Sequence, residues 1–222
     1  MTLSYKWATK ATAAASTTSF NVDPRLQAID QSALPLLFLH AITAAHTLQV
    51  SYLWIDSLCI LQDSEADFDQ ESALMSKIYR NAYCTISADL DGTSELGLFR
   101  TMDVENDSVE FELKEGNGME KCVRAVKREG WWESLLGDGV LQHRGWCLQE
   151  RELSPRILHY TPTQILWECR ALKASQGHPS RNISLKGEEA RILDTISNLT
   201  VPEIHNQWHH TISNYSARRL TK

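Results

Sequence analysis

The stretch that decides the fold runs from Val50 to Ala88 and reads VSYLWIDSLCILQDSEADFDQESALMSKIYRNAYCTISA. Val50 to Ile55 is apolar on both faces, which is typical of a central parallel strand covered by helices. Glu65 to Ala82 carries an apolar stripe at helical spacing, and Tyr83 to Ala88 is aromatic, β-branched and apolar. A strand, a helix and a strand in this order predict a parallel sheet with helices on both faces.

Hydrophobic periodicity and turn residues outside that stretch predict further elements. They are a strand at Leu3–Trp7, a helix at Ser32–Gln49, a β-hairpin formed by Val109–Leu113 and Cys122–Val126, a helix around Trp146, two strands at Arg156–Tyr160 and Gln164–Cys169, and two helices at Glu188–Leu199 and Pro202–Leu220. The expected fold is therefore α/β, with a mostly parallel sheet, an inserted hairpin and a helical C-terminal tail. We expect one domain over residues 1–170 and a helical extension over residues 171–222.

Composition and charge narrow the class of protein. With 42% hydrophobic and 23% charged residues, the chain has the balance of a globular domain. A formal net charge of −6 argues against an electrostatic nucleic-acid binder. No apolar run approaches the ~18–20 residues that a membrane span needs. Five cysteines form no CxxC pair, and most lie in apolar segments, so we expect reduced, buried thiols and a cytoplasmic location.

One segment, Arg144 to Ser154, combines an aromatic residue with a carboxylate on a predicted helix. Trp146 and Glu150 are four residues apart, so a helix places them on one face. An aromatic wall beside an acid can hold a flat ligand and raise the pKa of the acid by desolvation. The competing interpretation is that Trp146 packs in the core while Glu150 is solvated or ion-paired.

Several blocks of sequence together resemble the fungal heterokaryon incompatibility (HET) domain. They are Leu3 to Trp7, Tyr52 to Asp63, Met75 to Ala82 and Trp146 to Glu150, in the order that the family shows. The resemblance covers residues 3 to 170, and Tyr215 to Thr221 is similar to the segment that follows the domain in longer members.

The resemblance implies a biological role, and this chain departs from the family's sequence pattern at one position. HET proteins trigger programmed cell death when incompatible fungal cells fuse, so the resemblance implies an effector of self/non-self recognition. The first block of the family ends in Trp-Gly, whereas this chain has Trp7-Ala8. A glycine there permits a left-handed or close-packed turn, so we expect the loop after the first strand to differ.

A second, more distant resemblance is to TIR domains. The spacing of Trp146, Cys147 and Glu150 is similar to the TIR motif whose glutamate is the catalytic residue for cleaving NAD, and Ser4-Tyr5 is similar to the first TIR strand. This resemblance implies a TIR/flavodoxin-like sheet, Glu150 as the catalytic residue and NAD as substrate, with no cofactor required. A carboxylate suits that chemistry because breaking the nicotinamide–ribose bond passes through an oxocarbenium-like state.

Further residues are candidates for contacting the ligand: Tyr5, Trp7, Asp56, Gln62, Arg144 and Trp146. Each also has a structural interpretation. Trp7 either stacks on a base or packs in the core. Asp56 either hydrogen-bonds a ribose or caps the following turn. Gln62 either positions the ligand or satisfies backbone groups, and Arg144 either contacts phosphate or pairs with a neighbouring acid.

Other catalytic and metal motifs find little support. The chain contains no GxxxxGK[ST], GxGxxG or GxSxG pattern, which argues against an ATPase, a classical dehydrogenase and an α/β hydrolase. His205 and His209 have helical metal spacing but no accompanying HExxH or third ligand, so no metal site is expected. The alternative to an enzyme is a self-associating interaction module. In either case the expected partners are further copies of the chain or other death-signalling proteins.

Overall fold

The computed structural model of the chain describes residues 1–7, 13–90, 93–100, 108–114, 120–126, 132, 136, 139–183 and 200–218. Its strands are β1 (Thr2–Ser4), β2 (Thr85–Ala88), β3 (Ser108–Lys114), β4 (Glu120–Val126), β5 (Arg156–Tyr160), β6 (Ile165–Cys169), β7 (Lys173–Ser175) and β8 (His178–Ile183). Six of them form one sheet in the order β1-β2-β5-β6-β7-β8, and β3 pairs with β4 in a separate sheet.

The main sheet is mixed rather than mostly parallel. β1, β2 and β5 run parallel, as the strand–helix–strand pattern predicts. β5, β6, β7 and β8 then follow one another antiparallel. The expectation of a mostly parallel sheet is therefore correct only for the first three strands. The antiparallel half arises because the connections between β5 and β8 are too short for a crossover helix.

The helices are α1 (Val22–Gln27), α2 (Leu36–Thr47), α3 (Asp56–Cys59), α4 (Glu65–Asn81), α5 (Thr93–Leu96), α6 (Gly145–Leu153) and α7 (Val201–Ala217), with a 3₁₀ turn at Gln31–Ala33. The predicted helix from Ser32 to Gln49 begins later than expected, because Pro35 is its N-cap. It ends where Gln49 adopts a left-handed φ of 56°. α4 begins as predicted, with the Ser64 hydroxyl accepting from the amide of Asp67.

The segment Val50–Ile55, predicted as a central strand, is not a strand. It contributes one parallel bridge, between Trp54 and Thr2. The amide of Leu3 donates to the Trp54 carbonyl at 3.0 Å, and the Trp54 amide donates to the Met1 carbonyl at 2.8 Å. An extended segment thus lies along the outer edge of β1, because β1 itself offers only three residues for pairing. It still delivers Asp56 to the carboxyl end of β1.

The two faces of the parallel strands differ in chemistry. Leu3 and Ile86 share the main hydrophobic core with Leu37 and Phe38 of α2, and all four are fully buried. Because successive residues of a strand point to opposite faces, Ser4 and its neighbours in the sheet face the other way, toward α6. That second face is polar: Ser4 pairs in register with Ser87, and Ser87 with His159.

The remaining predictions have mixed outcomes. β3 and β4 pair antiparallel from Ser108–Val126 to Lys114–Glu120, and the turn predicted between them lies outside the described residues. The predicted helix Glu188–Leu199 also lies outside them. The predicted C-terminal helix is present as α7, whose capping box joins Thr200 and Glu203. β7 and β8, which sequence periodicity missed, continue the sheet beyond residue 170.

Two sequence-based exclusions concern membranes and metals. Among the described residues, no helix has both the length and the hydrophobicity required to span a bilayer. The same part of the chain contains no group of three His, Cys, Asp or Glu side chains arranged to hold a metal ion.

Candidate active site

The carboxyl end of β1 brings the predicted site segments together. After Ser4 the chain continues through Tyr5 to Trp7, beside the start of α3 at Asp56. α6 lies over the polar face of β1 and carries Glu150. Ligand crevices in open α/β sheets lie outside the carboxyl ends of parallel strands. The fold thus places Glu150, Asp56 and the Ser4–Trp7 segment in one region.

Glu150 is a buried acid with an incompletely satisfied carboxyl group. The residue is 9% exposed, and its Oε2 has no hydrogen-bond partner among the described residues. Burial raises the pKa of Glu150 to about 7, and the negative charge of Asp56 adds to the rise. The nearby hydroxyls of Ser4 and Tyr79 and the charge of Arg144 oppose it. Glu150 therefore exchanges its proton near neutral pH, which suits a working acid, base or electrostatic stabiliser.

Asp56 is held by two hydrogen bonds at the start of α3. The indole Nε1 of Trp7 donates to its Oδ2 at 2.7 Å, and the amide of Ser57 donates to its Oδ1 at 2.6 Å. Burial raises the pKa of Asp56, while these bonds and the charge of Arg144 oppose the rise. Asp56 is thus the first residue of α3, after the N-cap Ile55, and its carboxylate accepts from the next amide and from the Trp7 indole.

The aromatic candidates occupy different environments. Tyr5 is a core residue: its ring meets Phe38 edge to face at 5.4 Å, and its hydroxyl donates to Ser57 Oγ at 2.8 Å. Trp7 is 37% exposed and Trp146 is 45% exposed. Each therefore presents indole surface to solvent near the site.

Trp146 and Glu150 do not share one environment, although the helix places them four residues apart. Trp146 is in the first turn of α6, where its side chain reaches the surface although Gly145, Cys147 and Leu148 are buried. Glu150 is in the next turn, which is covered by β1 and by Tyr79 of α4. Of the two interpretations, the core tryptophan with a solvated acid is not what the structure shows: the acid is buried and the Trp146 side chain is half exposed.

Arg144 and Gln62 make mainly backbone contacts. Arg144 Nη1 donates to the Tyr5 carbonyl at 3.2 Å, which ties the start of α6 to the end of β1. The Gln62 amide donates to the carbonyls of Asp56 and Ile60 at 3.2 and 3.0 Å. Gln62 thus donates to backbone carbonyls within its own segment. The positive charge of Arg144 acts on both Glu150 and Asp56, but among the described contacts Arg144 makes no direct ion pair with either carboxylate.

Sequence reasoning missed two buried hydroxyl groups near the end of β1. Ser57 and Tyr79 lie within the blocks that resemble the HET domain, but neither is a candidate site residue in the sequence analysis. In the structure Ser57 is fully buried and accepts from Tyr5, while the Tyr79 hydroxyl donates to the Leu3 carbonyl at 3.4 Å. Serine and tyrosine inside otherwise apolar blocks are the signal that could have identified them, since buried hydroxyls require partners.

A buried charge network beside the site was also missed. Arg151 donates twice to Glu168, at 3.0 and 3.2 Å, and His159 Nε2 lies 3.0 Å from the same carboxylate. Lys173 Nζ lies 4.0 Å from Glu168 and 5.0 Å from the centre of the Trp132 ring. Glu168 stands between Trp167 and Cys169 in a short apolar strand. This position could have predicted the network, because buried charges are normally paired.

The expectation that the cysteines are buried is correct for only some of them. Cys84 and Cys147 are buried, but Cys59 and Cys122 are exposed and Cys169 is intermediate. Burial raises the pKa of the Cys147 thiol far above neutrality. Cys147 is therefore a thiol rather than a thiolate at neutral pH, and it is a poor nucleophile.

A small cavity adjoins this region on the side of β2 and β5. Ser4 and Cys147 line it, but Glu150 is not among its lining residues. Glu150 thus lies outside this cavity and is itself 9% exposed.

Comparison with known proteins identifies the family. The family model described as "Heterokaryon incompatibility protein (HET)" matches residues 1–150, which is more than half of the chain. No curated protein and no solved structure matches the chain significantly. The match ends at Glu150, so the antiparallel half of the sheet and α7 lie beyond it. The chain belongs to the heterokaryon incompatibility (HET) family.

Proposed function

We infer that this chain is an effector of fungal self/non-self recognition that triggers cell death by cleaving NAD in the manner of TIR domains. Family membership supports the biological role. The mechanism depends on one observation. Glu150 is a buried acid with a free oxygen and a pKa of about 7, and it lies at the carboxyl end of the first strand.

The reaction is a hydrolysis of the bond between nicotinamide and ribose. The C–N bond breaks, and its electron pair leaves with nicotinamide, which thereby becomes neutral. The remaining ribose carbon is an oxocarbenium-like centre, and an ionised Glu150 stabilises that positive charge. Water then adds to the carbon and loses a proton, which gives ADP-ribose.

The neighbours of Glu150 suit this task. Ser4 and Tyr79 place hydroxyl groups beside the carboxyl, which orients it. Arg144 adds a positive charge that favours the ionised form of both Glu150 and Asp56. The exposed indole surfaces of Trp7 and Trp146 offer stacking area for a flat ring at the edge of the site.

The test is the release of nicotinamide from NAD by the purified protein. Glu150→Gln keeps the shape of the side chain but removes its charge, so we expect release to fall at least about a hundredfold, given what one electrostatic stabiliser typically contributes. Glu65→Gln, at an exposed position in the first turn of α4, is the matched control and should leave release unchanged. Release that persists in Glu150→Gln would contradict the assignment of Glu150.

A non-enzymatic, self-associating module is the second candidate, and one observation favours it. α7 exposes Trp208, Ile212 and Tyr215 at helical spacing, with exposed fractions of 57%, 43% and 44%. Three large apolar side chains on one helical face form a contact surface for another copy of the chain.

The two candidates differ in what cells require for toxicity. If the chain is an interaction module, Glu150→Gln should remain toxic to the cells that express it, and Trp208→Ser should lose both toxicity and self-association. If the chain cleaves NAD, Glu150→Gln should no longer be toxic. Growth of cells that express each variant, together with sedimentation of the purified proteins, distinguishes the two.

A further inference from the structure

A buried carboxylate at the end of β2 has no role in the proposed mechanism. Asp89 directly follows that strand and is fully buried. Burying an ionised carboxylate is costly unless its oxygens are hydrogen-bonded, and both oxygens of Asp89 are. The amide of Leu141 donates to Oδ1 at 2.8 Å, and Gln142 Nε2 donates to Oδ2 at 2.7 Å. Asp89 is therefore engaged with one short segment of the chain, just before α6.

The backbone of the same segment packs directly against Asp89. A Cβ atom at Gly139 would overlap the carboxyl group of Asp89, so this close approach requires glycine. The Gly139 carbonyl accepts from the amide of Gln142 at 3.1 Å, and the Leu141 carbonyl accepts from the amide of Arg144 at 3.1 Å. Asp89 thus holds two consecutive turns that run from Gly139 to Arg144, a segment that we call the α6 lead-in.

The α6 lead-in determines where Arg144 lies. Arg144 is the last residue of this segment and the N-cap of α6. Its Nη1 donates to the Tyr5 carbonyl at 3.2 Å. Its charge acts on Glu150 and Asp56, where it opposes the rise in pKa that burial causes. The position of this charge depends on the backbone that carries it, and Asp89 holds that backbone.

We propose that Asp89 is a positioning residue for the candidate site. Its carboxylate anchors the α6 lead-in to the end of β2, and the anchored lead-in keeps the Arg144 guanidinium near Glu150 and Asp56. The importance of Asp89 for catalysis rests on the proposed function. Its effect on the ionisation of Glu150 does not, because that effect needs only the fold.

The direction of the effect distinguishes positioning from direct electrostatics. The titratable groups that act on Glu150 come from several elements and include Tyr5 after β1, Asp56 on α3, Tyr79 on α4, Arg144 before α6 and Cys147 on α6. Of these five, only Arg144 is a cation, so releasing the lead-in should raise the pKa of Glu150. Asp89→Asn also removes a negative charge, which by itself would lower the pKa of Glu150. A rise therefore reports the loss of positioning.

The test measures the folded-state pKa of Glu150 through stability, so it does not require NAD cleavage. The gain in unfolding free energy of Glu150→Gln over its parent levels off once the pH exceeds that pKa. Urea denaturation as a function of pH locates this point in the parent background and in the Asp89→Asn background. We expect it to rise by at least about half a pH unit in Asp89→Asn, since a nearby opposite charge typically shifts a pKa by about one to three units.

Control variants separate positioning from a general loss of stability. Leu37→Ala removes a fully buried side chain from the core on the other face of the sheet, and it should lower stability without moving the pKa of Glu150. Asp69→Asn removes a carboxylate from an exposed position on α4 and should change neither quantity. If Asp89→Asn does not fold, Gln142→Met removes one of the two donors without changing the charge, and it should also raise the pKa of Glu150.

Nicotinamide release provides a second readout, which depends on the proposed function. At a pH below the plateau, release by Asp89→Asn should fall about threefold, the change that half a pH unit implies for an ionised carboxylate. If the parent releases no nicotinamide, the proposed function fails, whereas a raised pKa of Glu150 in the stability measurement still supports the positioning role. An unchanged or lowered pKa of Glu150 in Asp89→Asn, or in Gln142→Met where Asp89→Asn does not fold, overturns the proposal.

Discussion

The indole Nε1 of Trp7 donates a 2.7 Å hydrogen bond to Oδ2 of Asp56, a residue 49 positions further along the chain. This bond joins the loop that leaves β1 to the first turn of α3. It holds a carboxylate whose pKa is raised chiefly by burial. The bond therefore stabilises the ionised form of Asp56 and fixes the edge of the candidate site.

Trp7→Phe should lower the stability of the protein by removing this hydrogen bond. Phenylalanine keeps a smaller aromatic ring but removes the donor, so Asp56 loses the hydrogen bond from the indole. We expect a loss of about 1 kcal/mol in the free energy of unfolding, because the pair is partly exposed. Urea denaturation at neutral pH measures the loss. Unchanged stability would show that the bond contributes nothing in solution.

Glu150→Gln should stabilise the protein in a pH-dependent way. The folded-state pKa of Glu150 is about 7, above its ordinary value of 4.5. The fold therefore favours the protonated form, and the stability that this provides is complete below about pH 4.5 and is lost as pH rises through 7. Glutamine mimics the protonated form, so the variant should gain about 3 kcal/mol over the parent at pH 8 and almost nothing at pH 4.5.

Urea denaturation of the parent protein and Glu150→Gln at both pH values checks this prediction. Glu65→Gln, whose position is exposed, should show no such pH-dependent gain. A Glu150→Gln variant that is less stable than the parent at pH 8 would mean that the native state requires the charged carboxylate.

Glu168→Gln should destabilise the domain far more than a surface substitution. It leaves Arg151 and Lys173 without the carboxylate that they share, and both Glu168 and Lys173 are 1% exposed. Removing one partner from a buried charge network typically costs about 3–5 kcal/mol. Thermal denaturation measures the loss, with the exposed Glu112→Gln as control. A loss of less than about 1 kcal/mol would contradict this prediction, because it would show that the network contributes no more to stability than an exposed ion pair does.

The sequence predicts the parallel core well because its elements carry strong local signals. The α4 segment has a Ser64 cap and an apolar stripe, and the prediction places both ends of this helix to within one residue. The helix around Trp146 and the strand at Arg156–Tyr160 were also confirmed. The extended segment Val50–Ile55 was not, since a strand needs a partner of matching length and β1 provides three residues.

The site illustrates what pattern alone cannot decide. Hydrophobicity favours burial of Trp146 and exposure of Glu150, yet Trp146 is 45% exposed and Glu150 is 9% exposed. The outcome depends on how α6 packs against β1 and α4, a property of the assembled domain. The buried charges of Glu168 and Lys173 were missed for the same reason, because their partners come from separate elements.

The central claim is that Glu150 is the working carboxylate, and the pH dependence of nicotinamide release from NAD tests it most directly. An ionised carboxylate with a pKa of about 7 predicts release that rises about tenfold per pH unit below neutrality and levels off above it, with Glu150→Gln lacking this pH dependence and at least about a hundredfold slower on the plateau. No release at any pH, or a profile that Glu150→Gln leaves unchanged, would contradict the account.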